Sequence, residues 1–251
     1  MIRHNLVSMS RRRFLGSVAA FATVAGLSPA FGRTFSGSLP WAPNVAEPPT
    51  PVMPGGWTFF TPAEVAAMEA IVDRLVPADD LSIGGREAGC VTYIDRQLSS
   101  YYGKSSRLYM QPPFMKALPT QGYQSSQTPA DRYRAGLAAI DKYLKNNGGK
   151  GFAELSSEEQ DKFLSDLEGK KIELPDGVSA PGFFGLMLQN TMEGFFGDPV
   201  YGGNKDMASW KMLGFPGARY DYRDHVAKHN EPYPNPPVSI LGRVEWNEKR
   251  A

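Results

Sequence analysis

Cysteine and histidine supply many nucleophiles and metal ligands, and both are scarce in this sequence of 251 residues, which has one cysteine and three histidines. A single cysteine excludes an internal disulfide, a cysteine-bound iron–sulfur cluster and a haem attached through a Cys-x-x-Cys-His motif. The sulfur of Cys90 can therefore be buried in the core, bridge to a second chain or act as a reactive thiol.

Long apolar segments are missing after Ala30, and no later stretch approaches the ~20 apolar residues that a membrane-spanning helix needs. Acidic residues are missing from residues 1–30, which hold four arginines, so removing this segment changes the formal net charge from +1 to −3. A mildly acidic protein has no long-range attraction for nucleic acid or anionic lipid. We expect no nucleic-acid partner, and contact with a membrane only through another protein.

Few residues remain as candidates for chemistry. His225 and His229 are four residues apart and would share a face if this stretch were helical, so with Asp221 or Asp224 they could hold a metal. The pair lacks a third ligand at a diagnostic spacing, which favours a polar surface turn. Cys90 with His225 could form a thiol–base pair, but no oxyanion-forming motif accompanies them. Phosphate-loop and dinucleotide-binding fingerprints are missing as well, so the sequence has no convincing active site.

The first 30 residues have the features of a twin-arginine export signal. Paired arginines precede a mild apolar run over residues 17–27, and the small residues Ser28-Pro29-Ala30 follow. The run is rich in alanine and glycine and is too short to span a bilayer comfortably. The residues assigned to the signal are Arg11, Arg12, Phe14 and Leu15. We therefore expect a periplasmic protein that folds before it crosses the inner membrane.

The remaining chain predicts a mainly α-helical fold with long loops. A capping sequence at Thr61 opens a helix that stops before Pro77, and similar openings at Thr128 and Ser156 start two more. Further helices are expected over about residues 87–101 and, as the central buried helix, over residues 183–196. Between them, residues 103–127 predict an irregular excursion with aromatic anchors.

Proline-rich stretches flank this helical core and should be extended. The predicted organisation is a signal over residues 1–30, an extended arm over 31–56, a helical domain over 57–230 and a second arm over 231–251. Trp41 lies in the first arm, and a solvated tether has no use for tryptophan. Both arms therefore suggest a chain that lies along a larger protein.

Two blocks of the sequence resemble the gluconate 2-dehydrogenase subunit 3 family. The first block runs from Phe59 to Glu64 and leads to Ile71-Val72-Asp73-Arg74-Leu75-Val76-Pro77. The second and more specific block runs from Phe195 to Lys205 and continues through Trp210 to Gly214-Phe215-Pro216-Gly217. The resemblance extends over roughly residues 57–225.

This resemblance implies a non-catalytic small subunit of a periplasmic flavoprotein dehydrogenase complex. The large subunit of such a complex carries FAD and oxidises a sugar, sugar acid or polyol, and a multihaem cytochrome c subunit passes electrons to quinone. The small subunit is then expected to stabilise the flavin subunit and to supply its export signal, with no cofactor of its own.

The residues that we expect at the partner interface are Cys90, Trp41, Trp210, Phe215 and Tyr201. Two alternatives stay open, namely a stand-alone exported enzyme that uses Cys90 or the His225/His229 pair, and a solute-binding protein.

Overall fold

The computed structural model describes residues 52, 55–115, 118–121, 124–219 and 222–242. The predicted export signal, Trp41 and most of the first arm lie outside the described residues, as does the chain end from residue 243. Six α-helices occur in the described part. They are α1 (Pro62–Leu75), α2 (Cys90–Ser99), α3 (Pro129–Gly148), α4 (Ser157–Glu168), α5 (Ala180–Phe196) and α6 (Ala208–Leu213). The helical class predicted from the sequence is confirmed.

Three of the helices begin where their capping sequences predict. The hydroxyls of Thr61, Thr128 and Ser156 each accept a backbone N–H from the third residue of their helix. The carboxylate of that third residue accepts the backbone N–H of the capping residue in turn. These reciprocal bonds satisfy donors that a helix start otherwise leaves unpaired. The helix predicted over 87–101 is shorter, because Gly89 adopts φ +82° and the helix begins only at Cys90.

The core forms around α5, which packs against all five other helices. Fully buried side chains converge on it from α1, α2 and α3, among them Met68, Ile94 and Tyr133. The Tyr133 ring meets Phe183 of α5 edge to face, with 5.6 Å between ring centroids. Prediction of the central helix is confirmed, although it starts at Ala180, three residues before the expected position.

A buried carboxylate joins the entrance of α1 to α2. Asp95 is 0% exposed, and its oxygens accept the backbone N–H groups of Thr58, Phe59 and Phe60 at 2.9 Å. The Thr58 hydroxyl donates to the same carboxylate at 2.7 Å, and the Arg96 guanidinium pairs with it. Burial would raise the pKa of Asp95, but these hydrogen bonds outweigh it and lower the pKa.

The irregular excursion predicted over residues 103–127 is present, but Tyr109 and Phe114, its described aromatic residues, are not anchors in the core of this chain. Tyr109 is 85% exposed, and Phe114 and Met115 are also exposed. Turns at residues 101–107 form its base, and the only helical structure among its described residues is the 3₁₀ turn Pro119–Gln121. No helix in the described part of the chain is long and apolar enough to cross a membrane.

Candidate partner-binding surface

The residues from Phe195 to Gly217, called here the distal block, leave the end of α5 and return to it. Asp198 opens the block by accepting the Val200 N–H at 3.0 Å, which starts the 3₁₀ turn Pro199–Tyr201. Beyond the turn, the backbone N–H of Lys205 donates to the Ala88 carbonyl at 3.1 Å. The block is therefore bonded to the start of α2 as well as to α5.

Glycine is needed where the distal block touches α5. A Cβ atom placed on Gly203 would lie 2.1 Å from the backbone oxygen of Gly194, a distance that no side chain can tolerate. Gly194 in turn lies against the Tyr93 ring, where a Cβ would come within 3.0 Å of a ring carbon. The loop therefore meets α5 backbone to backbone, and α5 meets α2 through the Tyr93 ring. These close contacts fix the distance of the distal block from the core.

Asn204 holds the turn of the distal block from inside. Its side chain is fully buried, donates to the Gly197 carbonyl at 2.8 Å, and accepts both the N–H and the hydroxyl of Ser209 at 3.1 and 2.8 Å. Asn204, Asp206 and Met207 all have positive φ, between 46° and 56°. Non-glycine residues pay for that backbone conformation, and such strain persists only where the surroundings enforce it.

An aromatic pair forms the outer wall of the distal block. Trp210 is buried, and its indole N–H donates to the Phe196 carbonyl at the end of α5 over 2.8 Å. The Phe215 ring packs edge to face on Trp210, with 5.2 Å between centroids. Phe215 is nevertheless 45% exposed, and Tyr201 is 44% exposed. The predicted interface residues Tyr201 and Phe215 therefore present aromatic surface to solvent, while Trp210 supports Phe215 from below.

Both arms reach the distal block. On the N-terminal side, the Val52 N–H donates to the Val200 carbonyl at 2.9 Å. On the C-terminal side, Val238 is buried and pairs with Gly217 in an isolated parallel bridge. The Asp198 carboxylate accepts the Ser239 hydroxyl at 2.7 Å and the Ile240 N–H at 2.6 Å. Val52 of the first arm and residues 238–240 of the second arm are thus attached to the distal block.

Cys90, the remaining predicted interface residue within the described part, lies in the core. Its side chain is 0% exposed at the first position of α2. Burial raises the pKa of the thiol to about 12, so the sulfur is a neutral thiol at physiological pH. This location departs from a partner-surface position and corresponds to the buried alternative. A thiol without access or thiolate character is neither a bridge nor a nucleophile in this conformation.

The histidine pair does not share a helix face. His225 ends the 3₁₀ turn Arg223–His225, and His229 lies in an irregular turn beyond it. His225 packs edge to face on Tyr233, with 4.8 Å between ring centroids. In the described residues no group of three or more His, Cys, Asp or Glu side chains is placed to hold a metal ion.

The sequence did not predict the polar cluster that surrounds Asn190 of α5. The Asn190 amide oxygen accepts the Tyr133 and Tyr102 hydroxyls at 3.0 and 3.3 Å, and its nitrogen donates to Glu193 at 2.9 Å. Burial raises the pKa values of Tyr102 and Tyr133, so both remain neutral donors. The Tyr93 hydroxyl at 3.5 Å and the Gln189 amide at 2.8 Å also donate to Glu193. The cluster satisfies its own polar atoms, as a structural network does.

A comparison with protein families matches residues 62–217, which include α1 to α6 and the distal block, to the model of gluconate 2-dehydrogenase subunit 3. The chain belongs to the gluconate 2-dehydrogenase subunit 3 family. The resemblance inferred from the two sequence blocks is therefore confirmed. Membership in this subunit family indicates an accessory subunit of a dehydrogenase complex, in which another chain is catalytic. No curated protein and no solved structure matches the chain.

Proposed function

We propose that this chain is the non-catalytic small subunit of a periplasmic flavoprotein dehydrogenase complex. A large partner subunit carries FAD and oxidises a sugar, sugar acid or polyol, and a multihaem cytochrome c subunit transfers the electrons to quinone at the inner membrane. The small subunit stabilises the large one and provides a twin-arginine signal for both. The observation that carries the proposal is the family match over residues 62–217.

The surface of the distal block supports a binding role. Aromatic residues are enriched at the centres of protein interfaces, and exposed apolar patches on soluble proteins mark sites of association. Tyr201 and Phe215 present such surface on a loop that Asn204, Gly203 and Trp210 hold in one conformation. A surface that is already ordered loses little conformational entropy on binding, which favours affinity.

The export role rests on the paired arginines of the first 30 residues. The twin-arginine route accepts folded proteins, so a partner that is bound before export can cross with the chain that bears the signal. The proposal therefore requires the large subunit to associate with this chain in the cytoplasm. It also requires the large subunit to depend on Arg11 and Arg12 for its location.

An affinity-tagged full chain, expressed in its native host with the wild-type and the Arg11→Lys/Arg12→Lys signals, tests both roles. We expect the wild-type chain to co-purify from the periplasm with a chain that contains FAD and with haem absorbance. The double variant should leave this flavin in the cytoplasmic fraction. Arg3→Lys, a conservative change outside the arginine pair, is the matched control and should not alter the distribution. A wild-type chain purified without flavin, or a flavoprotein that reaches the periplasm with the double variant, would contradict the proposal.

A second pair of variants tests the surface. Tyr201→Ser/Phe215→Ser should release most of the FAD-containing subunit, since truncating a buried aromatic anchor commonly costs ~2 kcal/mol or more of binding free energy. Val226→Ser is the control, because Val226 is exposed and lies outside the distal block. Equal retention of flavin by the two variants would place the binding surface elsewhere.

A further inference from the structure

The excursion between α2 and α3 concentrates exposed apolar side chains outside the distal block. Six large apolar side chains between residues 101 and 118 are exposed: Tyr101, Leu108, Tyr109, Phe114, Met115 and Leu118. Isolated exposed apolar residues are ordinary on a protein surface, but six of them within 18 residues of chain are a concentration that indicates a binding surface.

The charge of the same segment has one sign. Between Arg96 and Asp131 the sequence contains Lys104, Arg107 and Lys116 and not one aspartate or glutamate. The chain that remains after removal of residues 1–30 has a formal net charge of −3, so the excursion is opposite in sign to the rest. A cationic, aromatic segment on an otherwise acidic protein has electrostatic complementarity for an acidic surface.

The base of the excursion is fixed to the core. The Tyr102 hydroxyl donates to Asn190 of α5 at 3.3 Å, and the carbonyl of Gly103 accepts the N–H of Ala130 at the start of α3. A Cβ atom on Gly103 would lie 1.8 Å from the Leu98 carbonyl, so the chain must turn there as glycine. Above the base, the Arg107 guanidinium lies 4.5 Å from the centroid of the Tyr101 ring. The segment is therefore presented from a defined position.

We propose that this excursion is a second docking surface, and that its occupant is an acidic-rimmed apolar surface of the FAD-containing subunit. Tyrosine, phenylalanine, methionine and arginine, which the segment combines, are the residue types enriched in protein interfaces. This inference rests on the proposed function, because it assigns to the same partner a contact that the distal block does not provide.

A protein fits the excursion better than a lipid surface does. Residues 109–115 contain neither helix nor strand, so their backbone N–H and C=O groups are not paired in regular structure. Lipid provides no partners for such groups, and proteins that lie on membranes do so mainly with amphipathic helices. A second copy of this chain fits poorly too, since pairing the segment with itself would juxtapose like charges.

The test uses the tagged full chain in its native host and measures the FAD retained per mole of tagged chain over a series of salt concentrations. The apolar variant is Tyr109→Ser/Phe114→Ser/Met115→Ser, with Leu81→Ser/Val226→Ser as its control, because Leu81 and Val226 are similarly exposed. The charge variant is Lys104→Glu/Arg107→Glu, with Lys150→Glu/Lys228→Glu as its control. Melting temperatures of all four should match the wild type, since the substituted side chains are at the surface.

We expect the apolar variant to retain at least about tenfold less FAD than its control. The charge variant should also retain less, and its remaining binding should depend less on salt than that of the wild type. Oxidative footprinting gives a readout without substitutions: Tyr109 and Met115 should be protected in the complex, while Leu81 reacts equally with and without the partner.

Three outcomes would overturn the inference. If both variants retain FAD like their controls while Tyr201→Ser/Phe215→Ser does not, the partner binds through the distal block and the excursion has no part in it. If the variants lose binding to phosphatidylglycerol vesicles but keep FAD, the occupant is lipid. If they abolish a dimer of this chain but keep FAD, the occupant is a second copy. A wild-type chain that retains no FAD contradicts the proposed function itself and is thereby distinguished from these results.

Discussion

Substitution of Asp95 by asparagine tests how strongly this carboxylate stabilises the packing of the segment before α1 against α2. The carboxylate accepts three backbone N–H groups and the Thr58 hydroxyl, and it pairs with Arg96. An asparagine side chain has the same size, and its amide oxygen can still accept the backbone N–H groups of Phe59 and Phe60. Its NH₂ group, however, would face the donors of Thr58 and Arg96, where the native carboxylate supplies an acceptor.

The expected cost follows from those lost acceptors. Hydrogen bonds to a charged group contribute about 1.5–3 kcal/mol each, and a buried donor left without a partner adds its desolvation penalty. The Thr58 hydroxyl can rotate and accept from the amide, but the bonds from the Thr58 N–H and from Arg96 are lost. Loss of these two bonds at a fully buried site predicts a decrease of about 3–5 kcal/mol in the free energy of unfolding. For a domain of this size the melting temperature should then fall by roughly 6–20 °C.

Urea or thermal unfolding of the full chain measures this effect, with Asp161→Asn as the matched control. Asp161 also receives two hydrogen bonds from an arginine, Arg74, but both side chains are partly exposed to solvent. Solvent screens the exposed pair, so the control should unfold close to the wild type. Equal melting temperatures for Asp95→Asn and Asp161→Asn would refute the assignment of Asp95 as the residue that fixes the entrance of α1.

The pH dependence gives an independent test of the same carboxylate. Because hydrogen bonds lower the pKa of Asp95 in the folded state, its ionised form stabilises the fold above the unfolded-state pKa of about 3.9. That contribution is lost as the pH falls through the folded-state value. The stability difference between wild type and Asp95→Asn should therefore be constant near neutrality and shrink in acid. A difference independent of pH would contradict the role of the charge.

Three further predictions concern the distal block and the core. Gly203→Ala should destabilise the fold by about 1–3 kcal/mol, because its Cβ would meet a backbone oxygen at 2.1 Å, whereas Gly185→Ala, with open space in the middle of α5, should be neutral or stabilising in the same denaturation assay. Cys90 should resist iodoacetamide in the folded chain and react only after unfolding; rapid labelling of the native protein would contradict its burial and its raised pKa. Asp198→Asn should loosen the C-terminal arm, so hydrogen exchange at Ile240 should accelerate while exchange within α5 stays unchanged.

The starts of the helices were predictable because their determinants are local. At Thr61, Thr128 and Ser156 the capping residue and its partner are three positions apart, so the sequence itself displays both halves of the interaction. The short helix α6 escaped prediction for the opposite reason. It begins after Met207 in a left-handed conformation, without a side-chain cap, and depends on Asn204 for its position.

Long-range partners explain what the sequence did not reveal. Asp95 binds residues 35 to 37 positions before it, and Asn190 binds a tyrosine 88 positions away, so neither partnership leaves a local pattern. For Cys90 the sequence left burial in the core and a bridge to a second chain both open. Only the packing of α2 decides between them, and it buries the sulfur.

In the excursion between α2 and α3, the residue composition indicates a binding role that the spacing of its apolar residues does not. Its aromatic residues were expected to anchor it to the core, since apolar side chains usually face inward. Tyr109 and its neighbours face solvent instead. The absence of acidic residues between Arg96 and Asp131 was visible in the sequence, and together with the exposure of these side chains it indicates a binding surface and not an anchor.

Both exposed aromatic surfaces are attached to α5, and this explains how loops can provide a rigid interface. The excursion is bonded through Tyr102 to Asn190, and the distal block through Trp210 to the Phe196 carbonyl. Each of these hydrogen bonds joins the base of a loop to α5, the helix that contacts all five others. Side chains at the loop surfaces are therefore available to a partner, while the base of each loop is held by the core. In the distal block, where Asn204 also fixes the turn, the entropy cost of ordering the loop is met during folding and not during binding, which favours association.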